Sequence, residues 1–232
     1  MKIGIDISQV VYEGTGVARF TQGLTEAILT YGSEHQWVFF FSHFRKHLTP
    51  SLKRHIESQP YTSLASILFP PRVLSAIWND LHILPVETFT GDLDWFISSD
   101  WTEPPATCNK ATIIHDLVFK RYPETVHTQI LRTQEKRLYH VVRETDCIFT
   151  DSQTTAHDLR NFYNLEDKSV RTIYPGVNIP TTPSKELQHN IKQKYRLNSP
   201  YIISVGKQEP RKNMIRLISV YETMIKEKQI DP

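Results

Sequence analysis

KIGIDISQVVYEGTGVARFTQGL, residues 2–24, is the stretch whose reading decides the fold. Ile3, Ile5 and Ile7 form an apolar, β-branched run of the kind a buried strand needs. Residues 8–16 form a loop with glycines at 14 and 16, and behind it Val17, Phe20, Leu24 and Ile28 recur at helical spacing. A strand, a glycine-bearing loop and a helix in that order set backbone N–H groups at the positive end of the helix. That end is a seat for a phosphate or another anion. The alternative is a tight turn that merely uses glycine's freedom at positive φ. A nicotinamide dinucleotide fingerprint is excluded: Arg19 stands where the third glycine belongs, and several residues separate the strand from Gly14.

Outward from this unit the pattern repeats. Gly32 stops the helix expected over 17–29, and WVFFF at 37–41 reads as a second strand. Pro50 opens a basic helix, 51–58. Residues 64–69 form a strand ended by Pro70 and Pro71, and 73–84 a helix. Strands follow at 93–97 and 111–114, with Pro104 and Pro105 in the loop between them. A long helix over 126–144 leads to a strand at 147–150. Ser152 is a fair N-cap for a helix over 154–163, Asn164 can close it, and 170–174 is the last strand before Pro175 and Gly176. Short apolar strands alternating with helices imply an α/β fold, a mainly parallel Rossmann-like sheet covered on both faces. Such sheets take ligands outside the carboxyl ends of their strands. The Gly14–Gly16 loop and His115–Asp116 both fall there, which favours the anion reading.

The character changes at residues 179–200, where Pro180, Pro183 and Pro200 flank a polar helical piece, 185–195. This reads as a linker between a domain at 1–178 and a second one beginning at 201. In 201–232 a strand is expected over 201–205, a turn at Gly206 and a helix over 214–226. One β–α unit cannot bury its own apolar surface. Residues 201–232 therefore read as the start of an incomplete second domain, and they offer a face for self-association.

A chain of 232 residues is long enough to bury about 70% of its unfolded surface. The 27 Lys and Arg stand against 25 Asp and Glu, which argues against a nucleic-acid partner. Cys108 and Cys147 have neither metal-ligand spacing nor a disulfide framework, so a reduced, cytoplasmic setting is expected. The sequence opens on a strand, so no signal peptide is expected, and the longest wholly apolar run, 37–41, is far too short to span a bilayer. His43 and His47 stand four apart but lack an acidic neighbour and a third ligand, so no metal site is assigned. Residues 43–55 interleave Arg45, Lys46, Lys53 and Arg54 with Phe44, Leu48 and Leu52. They read either as a peripheral contact with an anionic membrane or as a solvated helix face.

Six segments, in order, resemble the amino-terminal part of the GT-B-fold retaining glycosyltransferases of family 4. They are the opening MKIGIDISQVVYEGTGVARF; LDWFISSDWTEPP, with Ile97 where a His often stands; ATIIHDLVFKRYPE; CIFTDSQTTAHDL; VRTIYPGVN, with Pro175 replacing the usual Asn; and YIISVGKQEPRKN. The resemblance implies two Rossmann-like domains facing a cleft, the first receiving the acceptor and the second holding a nucleotide sugar. It implies that Gly14 and Gly16 approach the donor diphosphate or the acceptor, and that His115 helps orient the transferred sugar as the catalytic residue. Lys207, where the family more often has Arg, and Lys212 would hold the diphosphate. Fixed cations stabilise the charge that grows on a leaving phosphate, although Lys207 lacks the forked hydrogen bonding of Arg. Arg19 reads as a phosphate contact or a surface charge, and Asp116 as a loop-holding residue. The family's pair of glutamates, seven residues between them, would lie past residue 232. The implied activity is hexosyl transfer, with retained stereochemistry, from a UDP- or GDP-linked donor to a saccharide or lipid-linked acceptor. No metal or further cofactor is implied, and this chain would be inactive alone. A non-catalytic binding module and a sugar-nucleotide epimerase are the alternatives.

Overall fold

The computed structural model describes residues 1–165, 169–177, 179–206, 208–227 and 229. Two compact units divide the chain, Met1–Gly176 and Val177–Pro232. The first holds seven strands: β1 Lys2–Asp6, β2 Gln36–His43, β3 Thr62–Leu68, β4 Trp95–Ser98, β5 Asn109–Ile114, β6 Cys147–Thr150 and β7 Ser169–Thr172. They form one sheet in the order β3-β2-β1-β4-β5-β6-β7, and every pairing is parallel. The helices of this unit are α1 Gly16–Tyr31, α2 Pro50–Ser58, α3 Pro71–Ser75, α4 Glu87–Thr90, α5 Val118–Arg121, α6 Thr128–Glu144 and α7 Gln153–Tyr163. This is a Rossmann-like α/β architecture, as the alternation of strand and helix patterns predicts.

The residues of β2 show why the central strands read as unbroken apolar runs. Phe39 and Phe41 pack on one face with Ile5, Ile7, Ile28 and Ile56, while Phe40 packs on the other with Leu74, Trp78, Val86 and Phe96. Alternate side chains of a strand point to opposite faces, and here helices cover both. A third cluster, around Ile114, Leu138, Val141, Ile148 and Leu159, fills the β5–β6 side. Local caps also follow the sequence. Thr15 accepts from the Ala18 amide to start α1, Thr49 from Leu52 to start α2, and Ser152 from Thr155 to start α7. Asn164 closes α7 in the left-handed conformation, φ 52°.

The helix expected over 73–84 is not continuous. α3 runs into a wide π-turn, Ala76–Asp80, and the chain then leaves through His82 and Leu84, both left-handed at φ 51° and 61°. The wide turn accompanies complete burial of Trp78, whose indole N–H donates to Leu84 O at 3.0 Å. The expected strands at 64–69, 93–97 and 170–174 shift by one or two residues at their ends, the usual uncertainty of terminal residues. The helix expected from 126 starts at Thr128, where the His127 ring accepts from the Gln129 amide.

The second unit contains α8 Lys185–Tyr195, a 3-10 turn Pro210–Lys212 and α9 Met214–Lys226. The strand expected over 201–205 does not form: these residues are irregular, and Tyr201, Ile202, Ile203 and Val205 are exposed. A strand gains its backbone pairing from a neighbour, and none is formed by the described residues of this unit. α9 keeps Ile215, Ile218 and Val220 exposed. Among the described residues no helix is long and apolar enough to cross a membrane.

Candidate functional site

A parallel sheet brings all its carboxyl ends to one edge. The chain leaves β1 towards β2 and β3, then returns to place β4 on the other side of β1. Connections that diverge in this way leave a crevice, and here it opens between β1 and β4. Asp6, the last residue of β1, is buried and holds the two strand tips together. Its Oδ1 accepts from the Ser8 amide at 2.8 Å and its Oδ2 from Ser99 Oγ at 2.7 Å. Burial raises the Asp6 pKa against the lowering effect of the Ser8 and Ser99 hydrogen bonds.

His115 follows β5 directly. Its Nδ1 lies 2.6 Å from Asp151 Oδ2 at the end of β6, which leaves Nε2 as the nitrogen free for other work. Phe20 of α1 meets the ring edge-on with centroids 4.8 Å apart. Burial opposes charge on this imidazole. The Asp151 hydrogen bond and the charges of Asp100 and Asp151 outweigh it, so the His115 pKa stands above its ordinary 6.5. Beneath the strand tips lies Arg137 of α6, fully buried. Its guanidinium donates to Thr112 Oγ1 at 2.5 Å and to Ile113 O at 3.0 Å, and it stands 4.0 Å from Asp100 Oδ1. Burial raises the Asp100 pKa, while Arg137 and His115 pull it down. The Gln134 amide fixes the Asp100 carbonyl at 2.7 Å.

The His115–Asp151 pair carries a pH signature. A histidine whose folded pKa exceeds its unfolded one adds stability that is complete below pH 6.5 and is lost as pH rises through the folded value. Asp151→Asn removes the hydrogen-bonded charge, so the His115 titration should move to lower pH and that pH-dependent stability should shrink. Histidine ring resonances followed by NMR across the titration check both.

Two openings lie on this side of the unit. Asp6, Phe20, Ser99 and His115 line a pocket of about 10 Å³, room for a single water. A cleft of about 520 Å³ lies between α1 and the segment after β2, with Val10, Leu48 and Leu52 as its floor and Glu13, His47 and His55 among its polar walls.

Of the residues singled out in the sequence, Gly14 has φ +80°, so a turn alone requires glycine there. Gly16 is different. It opens α1 and is exposed, and a Cβ on it would meet nothing within 4 Å, so neither turn geometry nor packing demands glycine. Its bare backbone at the helix's positive end stays open to a ligand. Val17, the next residue, lines the pocket that His115 lines, so α1 and His115 are brought together. Arg19 is exposed on the first turn of α1. Asp116 is exposed, and its Oδ1 accepts from the Val118 amide at 3.1 Å, the loop-holding role expected of it. Lys212 is exposed at the end of the 3-10 turn in the second unit, and Lys207 lies outside the described residues.

His43 and His47 do not share a helix face. His43 ends β2 and stacks on Phe41, and His47 lies in the loop beyond. In the basic stretch, α2 turns Ile56 and part of Leu52 into the core and leaves Lys53 and Glu57 outside, paired at 3.8 Å. Its apolar side is thus already occupied. Burial, with the Glu87 hydrogen bond and charge, pushes the Cys108 thiol up to about 12, which removes it as a nucleophile at neutral pH.

Four site residues escaped the sequence reading. Asp6, Asp100 and Asp151 each end a strand or follow one within two residues, so inspecting every strand's exit would have found them. Arg137 sits inside a helix rich in charge and gave no such signal. Comparison with protein-family models and with curated proteins finds no match. The fold and this edge define a Rossmann-like α/β protein with a crevice at its topological switch point.

Proposed function

We propose that this chain is the acceptor-side part of a retaining glycosyltransferase, moving a hexosyl group from a UDP- or GDP-linked donor to a saccharide or lipid-linked acceptor. The observation that carries this reading is His115, hydrogen-bonded to Asp151 and packed against Phe20 of the glycine-loop helix at the carboxyl edge of the sheet. A charged imidazole held in one orientation donates its Nε2–H to a sugar hydroxyl or phosphate oxygen. The amides at Gly16 and the dipole of α1 favour the negative charge that collects as the sugar–phosphate bond breaks. The cleft beside α1 takes the acceptor: its apolar floor suits the C–H faces of a sugar ring or a lipid stem, and its Glu and His groups suit hydroxyls. Lys212, with Lys207, serves the donor diphosphate from the second unit. No nucleic acid enters this scheme.

The rival reading is a binding module that turns nothing over. This chain and the same chain extended through a complete donor domain should be incubated with UDP- and GDP-hexoses and candidate acceptors. The extended form is expected to release nucleotide and to form a glycoside of unchanged anomeric configuration, and the short form to do neither. Failure of the extended form to hydrolyse or transfer any nucleotide sugar, while the short form still binds an acceptor, would establish the rival.

A further inference from the structure

Two histidine rings and a carboxylate meet away from the His115 edge. His82 and His140 stack with centroids 3.6 Å apart and planes 2° from parallel. Nδ1 of His82 lies 2.8 Å from Trp78 O, and Nε2 of His140 lies 3.2 Å from Asn79 O. A carbonyl oxygen only accepts, so these two nitrogens carry the ring protons. The opposite nitrogens face Glu144, His82 Nε2 at 2.9 Å from Oε2 and His140 Nδ1 at 3.5 Å from Oε1. An imidazole nitrogen that faces a carboxylate oxygen needs a positive charge between them, either a second ring proton or a metal ion. Lys110 stands 3.1 Å from Glu144 Oε2, but it is shared with the fully buried Glu103, also at 3.1 Å. One ammonium against two carboxylates leaves a negative charge over.

We propose that His82, His140 and Glu144 form a site for a divalent transition-metal ion of the zinc class. Two imidazoles and one carboxylate are a donor set such ions take, commonly with water as a further ligand. The three ligand atoms lie within 4.8 Å of one another, and binding requires the two parallel rings to swing out of their stack until both lone pairs meet at about 2 Å from one centre. Both distal ring nitrogens already meet backbone carbonyls, which sets the tautomer that leaves Nε2 of His82 and Nδ1 of His140 as the ligating atoms. Lys110 keeps Glu103 when Glu144 turns to the ion. The backbone is shaped for this meeting: a π-turn precedes His82, and His82 and Leu84 hold left-handed conformations that non-glycine residues rarely adopt. Glu144 is the last residue of α6 and Lys110 belongs to the first half of β5, so the cluster lies towards the amino ends of the strands. There the ion pins the turn at 81–84 to α6 and stands apart from the transfer chemistry.

Zinc titration of the full chain by calorimetry, with cobalt as a spectroscopic probe, tests the site. The expected result is one tightly bound ion per chain, visible cobalt bands of a low-coordinate nitrogen and oxygen site, and a melting temperature that rises with zinc. His82→Asn removes the imidazole yet tolerates the left-handed backbone, and Glu144→Gln keeps the carboxylate's shape. Each should weaken binding by about 100-fold or more and abolish the rise in melting temperature. Binding that is equal in the parent and both folded variants, or absent from the parent, would overturn the proposal.

Discussion

Arg137→Ala should cost the first unit about 3–5 kcal/mol, the loss typical of removing one partner from a buried charged network. The guanidinium is fully buried, and it serves Thr112 Oγ1, Ile113 O and the Asp100 carboxylate together. Truncation leaves an acceptor on β5 without its donor and a carboxylate, already strained by burial, without its nearest cation. It also opens a cavity under the strand tips, so two costs act in the same direction. A urea melt followed by circular dichroism measures the change in midpoint. Arg137→Lys keeps the charge but not the fork, and it should recover only part of the loss because one ammonium cannot reproduce two fixed N–H directions. A cost below about 1 kcal/mol for the alanine variant would mean that Arg137 does not hold the edge.

His115→Ala, placed in the chain extended by a donor domain, should lower the transfer rate on the order of 10²–10³-fold, the loss typical of one preorganised donor at a developing charge. The fold should survive, since the ring packs at a strand exit and its side chain remains partly exposed. The loss should fall on kcat more than on KM, because the imidazolium acts on charge present mainly in the transition state. Asp151→Asn should give a smaller loss together with an acidic shift of the pH–rate profile, matching the lowered His115 titration. A structural role alone would leave that profile unmoved. An unaltered rate in His115→Ala would remove His115 from the reaction and take away the observation on which the transferase reading rests.

Much of the fold is legible in the sequence because its causes are local. Runs such as 37–41, helix starts such as Pro50 and Ser152, and stops such as Asn164 act over a few residues, and each does what its chemistry suggests. His115 was legible by the same logic, since the end of a parallel strand follows once the strand is recognised. The misses share the opposite property. The expected strand at 201–205 needed a neighbour to pair with. The expected helix at 73–84 gave way to a π-turn in which Trp78 is completely buried. The His82, His140 and Glu144 cluster joins residues some sixty apart, at ring spacings no periodicity announces.

By itself, then, the sequence determined which segments of the first unit are strands, that they lie parallel beneath helices on both faces, and that the glycine loop and His115 stand at strand exits. Only the tertiary structure decided that β1 and β4 are neighbours with the crevice between them, that Asp6 bonds Ser99 across 93 positions, and that Asp151 steadies His115 across 36. The division is physical: a dihedral preference or an apolar period is a property of adjacent residues, whereas a hydrogen bond between strand tips exists only after the sheet has chosen its order.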